Sequence, residues 1–491
     1  SKAEETLPDQ TQFGAIWTPT IIPGLLPEGW TGYPPAQNSQ SGWVNHINYG
    51  TTESSTQGAL NLKLPFLQWE DREGYVKAGG FADVVSRTYT QSTFANTLDP
   101  NTFYQAPFDD PWSLVFPGQV HPINPVESDI NYDGSQDIIA FYGMADIPFA
   151  ETMNLVTGVR FERTVIDTQV TPDSPSTIWV DPTSGLPRDF SGGTADANAA
   201  INSDNFLPMV GWNWNITEEL VVRAAFAQTI ARPNFFEIVP VLQYDYVGGP
   251  IFIGNPALQL SSLDNYDARI DWMPFTDWLV SGSVFYKTMQ DPIQYISRFA
   301  QFGGFQYTTA ENFPSGSLLG IELESRVTMG PILGEEWEGL KFGANFTYME
   351  SQVELPQDQK DAWALYGLPQ TTQQMTQTPE FLVNLNATYD HEPTGTQVGL
   401  FYNYRGDALV SGGVPNLVEL TPAIYQLGYG TLNFTMSQAI FDGLRFSFNA
   451  KNLLNPVITT QYQTPNGITG LNSSYTAGID FSIALTYQIA F

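Results

Sequence analysis

What most limits the fold of this chain is a hydrophobic period of two that persists beyond the length of an ordinary strand. In the closing stretch "GIDFSIALTYQIAF", Phe481, Ile483, Leu485, Tyr487, Ile489 and Phe491 alternate with Ser482, Ala484, Thr486, Gln488 and Ala490. Side chains alternate across a strand, so the pattern gives one apolar face and one small or polar face. "LRFSFNA" repeats it, with Leu444, Phe446, Phe448 and Ala450 against Arg445, Ser447 and Asn449. "LKFGANFTYME" sets Leu340, Phe342, Ala344, Phe346 and Tyr348 against Lys341, Gly343, Asn345 and Thr347. "FLVNLNATYD", "IELESRV" and "NLVTGVRFE" follow the same rule. A soluble β-sandwich also alternates. Here, however, the runs reach about 10–14 residues, where globular strands are usually about 5–6.

The connections add a second constraint. Short links at 68–73, 148–151, 215–218, 274–277, 390–395 and 441–443 are interleaved with long segments near 93–134, 168–204, 232–261, 291–316, 351–378, 406–427 and 454–477. Short turns on one side and long loops on the other mark an outer-membrane β-barrel, whose tilted strands need about 9–11 residues to cross the hydrocarbon layer. The expected fold is therefore all-β: a transmembrane antiparallel barrel with long extracellular loops and short periplasmic turns. Strands are expected near 57–66, 73–92, 135–147, 152–167, 205–214, 218–231, 262–273, 277–290, 317–329, 338–350, 379–389, 396–405, 428–437, 443–453 and 478–491, about fifteen in all. The last strand then runs toward the periplasm and leaves the C-terminus there. Bacterial single-chain barrels have an even number of strands, and counting back brings the chain in from the wrong side. Residues 57–491 are thus expected to be the C-terminal part of a larger barrel. Residues 1–56 are expected to be an extracellular loop or a remnant of upstream strands. The partner of the terminal strand is expected within 1–56 or outside this sequence.

Composition excludes several classes. The chain carries 51 acidic and 19 basic residues, a net charge of −32. That excludes a nucleic-acid surface, because phosphate contacts need Lys and Arg. Charged residues make up only 14 %, against about a quarter in a typical soluble domain, while aromatics reach 14 %. There is no cysteine, hence no disulfide and no thiolate metal site. No run of about 18 apolar residues predicts a membrane-spanning helix. The opening "SKAEETLPDQTQF" has no signal-peptide core.

Several stretches resemble TonB-dependent outer-membrane receptors. "RAAFAQTIARPNFFEIVP" (223–240) is similar to the family's strand that ends in Ala-Arg-Pro before a long outer loop. "GNPALQLSSLDNYDARIDWMP" (254–274) and "LVSGSVFYKTMQDPI" (279–293) are similar to the hairpin that follows it. "GIELESR", "FNAKNLLNP" and the aromatic terminal strand also fit, and the matches run in family order from about residue 57 to 491. The resemblance implies a 22-stranded barrel around an N-terminal plug, with seven strands beyond those read here. No plug or TonB box is visible before residue 57, so both are expected to lie outside this chain. It further implies a receptor that captures a scarce solute (a siderophore, vitamin or oligosaccharide) in its outer loops. The partners it implies are outer-membrane lipid, the TonB complex acting through the plug, the small solute and envelope proteins. Tyr487 and Phe491 resemble the aromatic-ended signal that directs barrel insertion. Two other readings are a passive porin-like channel and a barrel that anchors loops for binding a partner protein. Catalysis is not expected: His46, His121 and His391 are scattered, and no nucleophile elbow is present.

Individual residues carry paired readings. In the family motifs, Arg232 and Pro233 mark where a strand leaves the wall, since proline lacks a ladder donor. Asn255 and Pro256 mark a turn back into it. Arg160, Glu162, Glu322, Glu324, Arg326, Lys341 and Arg405 fall on the polar face, either holding a plug or guiding a ligand, or forming cross-strand ion pairs on a wet wall. In "DINYDGSQD", Asp129, Asn131, Asp133 and Asp137 reproduce the first part of a calcium loop, with Gly134 at the sharp turn. Ala140 stands where the bidentate Glu belongs, and an ordinary Asx-Gly turn fits the same residues. Calcium is the only cofactor the sequence suggests. Among the outer-loop aromatics, Phe103, Tyr104, Trp112, Tyr244, Tyr246, Trp363 and Tyr366 could stack on a solute or pack the loops together.

Overall fold

The computed structural model describes residues 2–18, 29–33, 44–68, 71–96, 123–126, 129–244, 251–301, 305–416 and 420–488. Its frame is one antiparallel sheet of 19 strands. The long members, in chain order, are Lys2–Thr18, Val44–Gln68, Arg72–Asn96, Ile130–Ala150, Met153–Pro172, Ala200–Asn215, Leu220–Ala231, Ser261–Trp272, Leu279–Gln290, Ser315–Thr328, Leu340–Glu354, Phe381–His391, Thr396–Arg405, Tyr429–Phe441, Leu444–Lys451 and Asp480–Tyr487. Each of these pairs with the one before it. Every strand position expected from the sequence falls on one of them, and the short and long connections alternate as expected.

Two differences stand at the start. The strand expected at 57–66 begins at Val44 and runs 25 residues. Its first half, "VNHINYGTTESS", holds only Val44, Ile47 and Tyr49 among polar residues, so no sustained apolar alternation announces it. Lys2–Thr18 is also a strand, paired with the next one from Lys2↔Ser54 to Phe13↔Val44. Within residues 1–56, the described stretches Lys2–Thr18 and Gly29–Tyr33 and the start of Val44–Gln68 belong to this sheet.

The register fixes the faces. Phe141, Phe161 and Phe206 lie directly opposite one another on adjacent strands of the apolar face, with Phe141 and Phe206 exposed and Phe161 half-buried between them. One residue along, Tyr142, Arg160 and Leu207 form a row on the other face. At the chain's end Phe446↔Leu485 and Phe448↔Ile483 continue the apolar face, with Phe448 and Phe481 stacked 6.2 Å apart. Among the described residues this last strand pairs only with Leu444–Lys451. The polar face carries a chain of ion pairs across three strands: Arg223 with Asp271, Arg269 with Asp271 at 2.7 Å, Arg269 with Glu324 at 2.8 Å, and Arg326 with Glu324 at 3.0 Å. Arg223–Asp271 and Arg269–Glu324 pair between strands, while Arg269–Asp271 and Arg326–Glu324 pair within one, so these charges satisfy one another.

Where described, the long segments carry regular structure. Four of them contribute strands to a second sheet of eight: Leu242–Tyr244, Ile251–Ile253, Ile293–Ala300, Phe305–Asn312, Ala408–Gly413, Ala423–Gln426, Val457–Gln463 and Thr469–Thr476. Sequence reading leaves these as loops because they are short and lack a sustained period. Two of their pairings are parallel, Ile251↔Tyr307 and Ile296↔Gly412, and so join different hairpins.

Candidate functional site: the outer-loop assembly

The long connections gather at one end of the wall and cover its polar face there. That face turns apolar where they sit: Val85, Tyr89, Tyr132, Ile166, Val170 and Ile201 share one buried cluster with Trp179, Phe190, Phe235, Ile238 and Phe252 from the loops. Tyr89 stacks on Tyr132 at 5.2 Å beneath them. Burying such rings and aliphatics on both sides is what holds the loops down.

The Ala-Arg-Pro segment is one fastening point. Pro233 takes the chain out of the ladder, and Arg232 reaches back to the wall. There its guanidinium pairs with buried Glu162 and its Nε donates to Thr164 Oγ1 at 3.0 Å. Glu162 also accepts from Arg160 at 2.5 Å. Next, Asn234 caps the short helix Phe235–Ile238 in a reciprocal capping box with Glu237. Phe235 then enters a socket formed by Gly134 and roofed by Arg87, whose guanidinium lies 5.2 Å from the ring centroid. A side chain on Gly134 would meet that ring at 2.5 Å. Asn255, from the second family motif, is buried. It donates to the Ala310 carbonyl at 2.9 Å and receives the Ala257 N–H at 3.0 Å, making the turn that Pro256 continues.

The second sheet is tied together by buried polar groups that sequence reading missed. Arg298 donates to Glu311 at 2.6 and 2.9 Å, and the Gln359 amide donates to the other Glu311 oxygen at 2.9 Å. Burial pushes the Glu311 carboxyl up, against the pull of Arg298 and Gln359. Tyr307 donates to the Pro182 carbonyl at 2.9 Å, and Ser297 and Ser411 are 2.7 Å apart. No local signal marks these pairs, because their partners are far apart in the chain. In the hairpin Ile178–Val180/Pro187–Asp189, Asp181 receives the Thr183 hydroxyl at 2.8 Å and pairs with Arg188 at 2.7 Å. Burial works to raise its carboxyl, but the Thr183 hydroxyl, the Ser184 and Thr183 N–H groups and Arg188 together hold it below the usual carboxylate range.

The aromatic candidates separate. Trp363 is 3 % exposed, on the helix Gln357–Leu365, and its indole N–H donates to the Gly413 carbonyl at 3.1 Å. Its ring fills the loop core beside Ile296, Phe313 and Leu355. Tyr366 is 38 % exposed and donates to the Asn416 carbonyl at 2.7 Å, so one face stays open. Tyr244 ends the strand Leu242–Tyr244, opposite Ile251. Phe103, Tyr104, Trp112, Tyr246 and Phe491 lie outside the described residues. Tyr487 is exposed on the apolar face near Phe441.

The "DINYDGSQD" residues do not form a loop. Ile130–Ala150 is a strand through all of them but Asp129, paired on both sides. At about 3.3 Å per residue, Asp129 and Asp137 stand roughly 26 Å apart. Asn131 accepts the Gln91 N–H at 2.8 Å and Asp133 the Thr88 hydroxyl at 2.7 Å. Asp129 is held by Gln91 and Thr93, and burial lifts its carboxyl above the usual range despite those bonds. Among the described residues no three acidic or histidine side chains converge as metal ligands.

Comparison with known proteins follows this geometry. Residues 5–453 match the family model described as TonB dependent receptor-like, beta-barrel. The ferric citrate transporter FecA, in its unliganded form, superposes with a TM-score of 0.54 at 10 % identity, over 93 % of this chain and 57 % of that one. The ferric yersiniabactin uptake receptor FyuA from Yersinia pestis gives 0.53 at 14 %, over 93 % and 60 %. The copper transporter OprC gives 0.56 at 13 %, over 93 % and 61 %. At such identities the likeness is one of fold. The chain spans about three-fifths of the length of these solved structures. None of the curated proteins matches it by sequence.

Proposed function

Given that this chain belongs to the TonB-dependent receptor-like β-barrel family, we propose that it is the wall and outer-loop part of an outer-membrane receptor that takes up a scarce solute. In this reading the apolar face meets lipid, the short turns and the C-terminus lie in the periplasm, and the loop assembly faces outward. Solute is captured among the outer loops, and energy relayed by the TonB complex through a plug admits it to the periplasm. The substrate is a siderophore, a vitamin or an oligosaccharide. The single observation that carries the reading is the pairing of a self-neutralised polar wall with a consolidated sheet of loops over one end. Such a cover suits capture and controlled entry better than free diffusion.

The test is made with the full-length protein. In a planar bilayer it should show little steady conductance, and cells lacking it should lose uptake of one nutrient to the same extent as cells lacking TonB. A large, steady open conductance would establish a passive channel instead. Unchanged uptake of every nutrient tested, with loss of binding of a partner protein, would favour the anchoring role.

A further inference from the structure

A row of polar side chains crosses five strands on the apolar face of the wall. Gln228↔Asp264, Asp264↔Thr288, Thr288↔Ser317 and Ser317↔Gln352 are direct cross-strand partners. Two residues along each strand toward the short-turn end lies a second row, Phe226↔Tyr266, Tyr266↔Tyr286 and Tyr286↔Leu319. Its rings lie 5.1 and 6.4 Å apart, centre to centre. Two residues are about 6.6 Å of strand, so the polar row begins where the aromatic belt ends. The loop-side row above adds Ser262, Gln290 and Ser315, whose hydroxyl donates to Glu354 at 3.3 Å. The polar row, the loop-side row and Tyr286 line a groove of about 840 Å³.

The polar part of the lining is amides, hydroxyls and the carboxylates Asp264 and Glu354, with Tyr286 at its lower edge, and Phe206, Ile230, Leu263 and Met289 add apolar wall. Glu354 is paired with Lys360 at 2.7 Å, which leaves Asp264 as the lining carboxylate without a cation on it. Gln228 already donates to Asp264 at 2.7 Å, which orients that carboxylate to accept from a third group. With Lys360 taken up by Glu354, such a surface offers little to a phosphate, which asks for cations or clustered N–H donors. It suits a ligand with many hydroxyls, each able to donate to a carboxylate or amide oxygen and accept from an amide. Aromatic belts sit at headgroup depth, so the row just outside one meets the sugars of the outer leaflet. We propose that this groove binds the saccharide head of a membrane glycolipid, whose acyl chains run down over Phe226, Tyr266 and Tyr286. The inference rests on the membrane orientation proposed above.

The test uses the full-length protein, freed of sugar detergents and placed in lipid nanodiscs. Dodecyl maltoside below its micelle concentration, maltose and dodecylphosphocholine are offered separately, and retention is read by native mass spectrometry. Wild type should retain the maltoside about tenfold better than either of the others, and Asp264→Ala with Gln290→Ala should lose about that factor. Equal retention of the phosphocholine amphiphile, equal retention of free maltose, or full maltoside retention by the variant would each overturn the proposal. Flotation with liposomes tests the membrane reading separately. If wild type fails to float, that reading falls and this one with it. If wild type and variant both float, a lost difference in maltoside binding counts against the groove alone.

Discussion

Arg232 and Asp181 show how differently single charges enter the sequence. Arg232 is legible: it stands before a proline at the end of an alternating run, and its structural role matches that reading. Its partner Glu162 is legible only as a polar-face charge, because the pairing spans two hairpins. Asp181 gives no signal, lying in a segment of prolines, serines and glycines, yet it gathers a hydroxyl, two N–H groups and a guanidinium. Its pKa is depressed in the fold, so its contribution to stability is present above the unfolded value of about 4 and is lost as pH falls through the folded one. Amide exchange in 173–199, corrected for intrinsic rate, should therefore lose protection below about pH 4 in the wild type. Asp181→Asn should show weak protection that stays flat across that range. Wild-type protection that is flat with pH would contradict the assignment.

At the scale of elements, the wall was readable because both faces impose a rule on every second residue. The second sheet was not, because its strands are three to eight residues long and four of them are buried on both faces. The helix Phe235–Ile238 has only four residues, and only its capping residues could have announced it. Its hold on the wall depends on one ring. Phe235→Ala should cost the loop about 3 kcal/mol or more by removing a buried aromatic, read as faster proteolysis within 232–260. Gly134→Val alone should also loosen the loop, since any Cβ there meets the ring. Combined, the two changes should cost less than their sum, because the valine fills space the alanine leaves. Strict additivity would show that the socket is not shared.

At the scale of the molecule, the four loops of the outer sheet form one body rather than four. The parallel pairings Ile251↔Tyr307 and Ile296↔Gly412, with Trp363 bonded to Gly413, tie segments that are far apart in the chain. Amides in Ile293–Ala300, Phe305–Asn312 and Ala408–Gly413 should then open with a common free energy. Trp363→Ala should raise exchange in all three, and a rise confined to 408–413 would argue for independent loops. The same two pairing patterns also set an order in time. Along the wall each long strand finds its partner in the hairpin just completed, a short search with little chain to close. The outer sheet has no such shortcut, since its parallel joins must wait until hairpins made early and late stand side by side. The wall can therefore be laid down stepwise while the loops are still unbound from one another. A change that ruins the outer sheet should then leave a protein that assembles, and fails only afterwards at what its loops do together.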